Sequence, residues 1–146
     1  MANRSALDTL IELATTETEE AAKRLGLAVK ACAETETKLT LLQDYRAEYA
    51  ARFQTSMAAG LSAMGYRNFQ LFMDKLDTAI GSQQHVVTAA KKRVEERRVA
   101  WQAGERKRMS YGTLVTRAQQ EQQQRDNKRD QKAMDEHAAR RYLYKK

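Results

Sequence analysis

Proline is absent from all 146 residues, so no position locks φ or withholds an amide donor from a helix. Cysteine occurs once, at Cys32; an intramolecular disulfide is thereby excluded, and the usage fits a reducing compartment. The only histidines, His85 and His137, lie far apart and lack neighbours at metal-ligand spacing, so no metal site is expected. The six glycines are scattered and form neither a Walker-type nor a dinucleotide-binding loop. Runs of β-branched residues bounded by turn residues are missing, which removes the strand signal. No stretch reaches the roughly 18 consecutive apolar residues of a membrane span. Asp8 and Glu12 interrupt the opening apolar run, so it does not read as a secretory signal. With neither a catalytic constellation nor a cofactor loop, no enzyme, catalytic residue or cofactor is expected.

What is present suits a long seam better than a globular core. Hydrophobic residues make up 42 %, many of them alanine, charged residues 31 %, and mean hydropathy is -0.77. Such a chain buries a thin line of side chains more readily than a compact interior. The net charge of +7 is uneven: residues 1–60 hold 7 basic and 9 acidic groups, and residues 101–146 hold 12 and 6. A basic end raises the question of nucleic acid. The interspersed carboxylates and the lack of an aromatic stacking platform or reading motif favour a solvated helix face instead, so no nucleic-acid partner is expected.

Two ladders with steps of four and three organise the chain. The first runs Leu7, Ile11, Ala14, Thr18, Ala21, Leu25, Ala28, Cys32, Thr35, Leu39, Leu42, Arg46, Tyr49, Phe53. The second runs Phe69, Met73, Leu76, Ile80, Gln83, Val87, Ala90, Val94, Arg97, Trp101, Gly104, Arg108, Tyr111, Val115, Ala118. A 3.5-residue period held this long is a coiled-coil signal. Between the ladders, Gly60 and Gly65 lower helix propensity and supply the positive φ of a bend. The reading is all-α: one elongated domain over residues 1–146, a long antiparallel two-helix coiled coil folded back on itself and monomeric when free. Helix 1 is expected at about 4–57, capped by Asn3 or Ser5, the turn at about 58–67, and helix 2 at about 68–118. At about 1.5 Å per residue the paired part would be on the order of 75 Å long. Phe53 should face Phe69, Leu25 Trp101, Leu7 Ala118, and Tyr45 Ala79. Residues 119–146 form a polar helical overhang with no partner in helix 1, expected to fray when alone.

One stripe exceeds what a seam needs. Leu42, Tyr45 and Tyr49 step along helix 1, and Phe72, Leu76, Ala79 and Gln83 along helix 2; Tyr45, Phe72 and Ala79 lie off the ladders. An aromatic-lined edge on a slender hairpin is a candidate partner surface.

The segments ALDTLIELA, EEAAKRLG, LLQDYRAEY, the turn Gly60-Leu61-Ser62, NFQLFMDKLDTAI and DQKAMDEHAARR, in this order and spacing, resemble the FliJ family of flagellar type III export proteins over essentially the whole chain. The resemblance implies a non-catalytic cytoplasmic stalk, peripheral to the inner membrane at the flagellar base. Its implied partners are the hexameric flagellar export ATPase, the cytoplasmic domain of the large export-gate membrane protein, and export chaperones. By the same resemblance, Leu42, Tyr45, Tyr49, Phe72, Leu76, Ala79 and Gln83 would contact the gate. Asp130, Lys132, Asp135, Glu136 and Arg140 would contact the ATPase ring. The chain departs from the family pattern at Lys38 and Gln83, where glutamine and histidine are usual. Two other readings stay open on the sequence: a generic coiled-coil adaptor or secretion chaperone, and a basic nucleic-acid-binding protein.

Overall fold

The computed structural model describes residues 2–144, with side chains from Ala6 onward. Among these, all but residues 59–62 are helical: α1 spans Ala2–Ala58 and α2 spans Ala63–Tyr144. The chain is an all-α helical hairpin. Alanine, leucine, glutamate, lysine and arginine lose little side-chain freedom in a helix, and the many threonines turn their hydroxyls onto their own backbone. Thr16, Thr37, Thr55 and Thr113, for example, each donate from Oγ1 to the carbonyl four residues earlier at 3.0–3.1 Å. This satisfies the hydroxyl without breaking the helix. The helix already runs at Ala2, ahead of the expected caps Asn3 and Ser5, whose side chains lie outside the described ones.

The connection is shorter than the expected 58–67. Gly60 takes φ +91°, and its amide donates to the Met57 carbonyl at 3.2 Å, ending α1 on a left-handed residue that costs glycine no Cβ clash. Ser62 then starts α2: its Oγ accepts the Gly65 amide at 3.1 Å, and its carbonyl accepts the Tyr66 amide at 2.9 Å. A serine N-cap of this kind satisfies an amide that would otherwise be orphaned, so Met64–Arg67 join the helix. Gly65 is therefore a packing residue. A Cβ there would stand 2.9 Å from Leu61 Cδ1 and 3.2 Å from Ser62 Oγ.

The chain forms two compact units: residues up to Thr18 with those from Ala103 on, and Glu19–Gln102. In Glu19–Gln102 the core is a line of small and medium side chains, Ala28, Cys32, Leu76, Ile80 and Val87. In the other unit the buried positions are Ala14 and Thr18, the latter 4 % exposed with its Oγ1 donating to the Ala14 carbonyl at 2.7 Å. A Cβ at Gly104 would lie 2.9 Å from Thr18 Oγ1 and 3.5 Å from Thr18 Cα. Glycine on the ladder thus lets the two backbones approach. Lys107 reaches Glu17 alongside at 4.0 Å.

Every position of the first ladder from Leu7 to Phe53 is buried or half-buried. On the second, Arg97, Arg108 and Ala118 are exposed; Arg108 turns to Glu105 at 3.1 Å, as a long cation keeps its head in water. From Gln119 to Tyr144 every residue but Asp126 is exposed, yet the segment is helical throughout rather than frayed. Its local supports are amide-to-acceptor pairs one turn apart, Gln122 to Asp126 at 3.2 Å and Gln123 to Asn127 at 3.3 Å, a spacing that brings helix side chains together.

Candidate partner-binding surface

The surface is built where large rings from both helices meet near the turn. Tyr49 lies at the middle, its ring centroid 4.4 Å from Phe72 and 4.9 Å from Phe69. Phe53 follows one turn later, 5.1 Å from Phe69 and 5.6 Å from Tyr66. Tyr45 closes the other end, 6.1 Å from Phe72 in an edge-on arrangement and 6.4 Å from Tyr49. The positive ring edge against the negative ring face makes such offset and edge-on pairs favourable beyond their buried area. The expected facing of Phe53 and Phe69 is observed. Tyr66, assigned to the turn from sequence, extends the cluster because Ser62 caps α2 early.

The seven edge residues inferred from the sequence divide by exposure. Leu76 is buried at 7 %; Leu42, Tyr49, Phe72, Ala79 and Gln83 are half-buried; Tyr45 stands 47 % exposed. Leu76 therefore supports the edge from beneath, while Tyr45 presents a large amphipathic ring to solvent. Gln83 has a partner within the hairpin: its Nε2 donates to the Thr35 carbonyl at 3.0 Å, tying α2 to the α1 backbone. Its side chain is thus a seam element, while the ring cluster remains the edge. One residue escaped the sequence reading. Leu41 lies one turn before Tyr45 on the same side of α1 and is 62 % exposed; the available signal was its i, i+4 spacing to Tyr45.

A second, shallow groove is lined by Arg46, Ala50, Phe53, Gln54, Met57, Phe69, Gln70, Met73 and Asp77. Arg46 and Asp77 join across the helices in a two-pronged pair, Nε to Oδ1 and Nη2 to Oδ2. The hydrogen bond and charge of Asp77 hold the Arg46 guanidinium above its usual value. Both side chains are about half exposed, so solvent screens the pair and its contribution to stability is small. Farther from the turn, Lys91 approaches Glu36 at 3.9 Å.

The proposed ATPase-facing residues Asp130, Lys132, Asp135, Glu136 and Arg140 are all exposed on α2. At about 100° per residue, Lys132, Asp135, Glu136 and Arg140 fall within about 140° of the helix circumference, while Asp130 lies outside that arc.

Little else has chemistry to offer. The Cys32 thiol is pushed up by burial and then by the Glu36 carboxylate 3.7 Å away, which favours the unreactive protonated form. His85 and His137 are exposed, and among the described residues no group of three His, Cys, Asp or Glu is placed to hold a metal ion. Also among the described residues, no helix is long and apolar enough to cross a membrane. The arrangement suits recognition by aromatic anchors at a surface.

The chain matches the family model described as Flagellar FliJ protein over residues 3–146. It is 32 % identical over 140 residues to the Flagellar FliJ protein of Salmonella typhi, covering 96 % of this chain and 95 % of that one. Its identity to the Flagellar FliJ protein of Escherichia coli strain K12 is also 32 % over 140 residues, with the same coverage. A model match across nearly all of the chain and two relatives aligned over their near-full lengths lead to one assignment: the chain belongs to the flagellar FliJ family.

Proposed function

We propose that this protein is a non-catalytic component of the bacterial flagellar type III export apparatus, acting as a coiled-coil stalk at the cytoplasmic side of the inner membrane. Its α2 tail enters the hexameric export ATPase and promotes that enzyme's activity or assembly. The ring-lined edge contacts the cytoplasmic domain of the large export-gate protein, and the chain also meets export chaperones. The observation that carries the reading is the half-exposed aromatic edge of Tyr45, Tyr49 and Phe72 on a two-helix scaffold. A hairpin this slender presents surfaces, and interface energy concentrates at aromatic anchors whose surroundings exclude water.

The test is ATP hydrolysis by the purified cognate export ATPase with and without the full-length chain, repeated with the chain truncated after Ala118. Stimulation that disappears on truncation supports the tail as the working end. If the full-length chain neither bound the ATPase nor changed its rate, the stalk reading would be lost. For the gate, Tyr45→Asp is the cleaner variant because that ring is already exposed; it should weaken binding and motility at unchanged helicity. Unchanged binding would remove the edge from the account.

A further inference from the structure

The ring edge carries an unbalanced charge. Lys38 and Arg52 lie seven residues on either side of Tyr45, and Lys75 lies three after Phe72; all three cations are exposed. At about 100° per residue, Lys38 and Arg52 point within about 60° of Tyr49, and Lys75 within about 60° of Phe72. The carboxylates beside them in sequence, Asp44, Glu48 and Asp74, are turned about 100° or more from the same rings. Glu34 shares the face but stands one turn beyond Lys38. Two cations that cross the seam are neutralised there, Arg46 by Asp77 and Lys91 by Glu36. Among the described residues, Lys38, Arg52 and Lys75 join no ion pair.

We propose that the partner site facing this edge is an apolar pocket rimmed by carboxylates, and that Lys38, Arg52 and Lys75 select it. The proposal rests on the reading of the edge as the gate contact and names the chemistry that the gate domain presents there. The rings supply the anchor, as aromatic side chains do where surrounding contacts exclude water. The cations stand around them at a rim that stays wet, so they act through long-range attraction: they speed the encounter and reject a surface that lacks acid. A second copy of the chain is disfavoured, because two identical edges in a twofold pair would set cations against cations. A polynucleotide is disfavoured too. Lys38 and Arg52 are about 21 Å apart along α1, and the rings between them are packed on one another instead of standing free to stack on bases.

The test is association of the purified cytoplasmic domain of the cognate gate protein with the full-length chain, followed by biolayer interferometry at low and high salt. Arg52→Glu and Lys38→Glu should each slow association about fivefold at low salt, and Arg52→Glu with Lys75→Glu by more than about tenfold. The differences should shrink at high salt, with circular dichroism unchanged. Lys92→Glu makes the same charge change as Arg52→Glu at another exposed position of α2, about 160° round the helix from Phe72, and should leave the rate as it is. Equal slowing by Arg52→Glu and Lys92→Glu would show an effect of net charge alone and overturn the proposal, as would a loss that high salt does not relieve. Tyr45→Ser removes a ring at constant charge and reads the edge itself. If it weakens binding while the charge variants associate at the wild-type rate, the carboxylate rim falls and the gate contact stands; if binding survives it intact, both fall. Self-association or oligonucleotide binding that the charge variants abolish, with gate binding unchanged, also overturns the proposal.

Discussion

The ring-lined end of the hairpin and the tail share one secondary structure and reach it by different physics. Around Tyr49 and Phe69 the helix persists because large side chains are shielded by a second helix. Around Gln122 and Asp126 it persists through contacts a turn apart in the same helix, each worth only a few tenths of a kcal/mol. Helix content is thus a poor guide to where stability resides. The end with rings carries the packing energy, and the tail is a display of charge.

The sharpest way to break that contrast is a pair of truncations. Phe69→Ala removes a ring 4.9 Å from Tyr49 and 5.1 Å from Phe53; for a half-buried aromatic the expected cost is about 2 kcal/mol in urea denaturation. Met134→Ala, at an exposed tail position, should stay within about 0.5 kcal/mol. Equal costs would mean that the tail packs as the rings do.

A second pair separates close approach from helix propensity. Gly104→Ala gains about 1 kcal/mol of propensity, but its Cβ would meet Thr18 Oγ1 at 2.9 Å. Because Thr18 is buried and its hydroxyl is held by the Ala14 carbonyl, the net expectation is a loss of about 1 kcal/mol. At Gly112 nothing lies within 4 Å of the added Cβ, and Gly112→Ala should raise stability by up to about 1 kcal/mol. Thermal melts of both variants give the two signs directly.

Smaller effects concern the polar ties between the helices. Gln83→Ala removes the donor to the Thr35 carbonyl and should cost about 0.5–1 kcal/mol; a value near zero would return Gln83 to the partner surface. Arg46→Ala and Asp77→Ala, combined in a double-mutant cycle, should show a small favourable coupling that fades in high salt. A coupling that salt leaves unchanged would show a pair better shielded than its half-exposed side chains indicate.

Much of this was legible from residue spacing. The α1 ladder from Leu7 to Phe53 is shielded at every rung, because a heptad repeat needs only the local helical period to declare its face. The turn was half legible. Gly60 takes the positive φ expected of it, but Gly65 falls inside α2 because the Ser62 hydroxyl satisfies its amide. Of the edge, Tyr45 and Phe72 were legible as apolar residues off the seam. Leu41 was missed, although its i, i+4 spacing to Tyr45 places it on the same side of α1, because it lies off the ladder and a single leucine is weak evidence of a surface.

The sequence by itself determined that the chain is helical, which residues form the α1 side of the seam and most of the α2 side, and that the chain resembles the flagellar FliJ family. Tertiary structure alone decided the partners: Tyr66 with Phe53, Arg46 with Asp77, Gln83 with the Thr35 carbonyl, and Gly104 against Thr18. Periodicity is a property of one helix and can be read from one strip of residues. Which side chain reaches which atom across the seam depends on register, rotamer and the closeness of two backbones, and these exist only once both helices are in place.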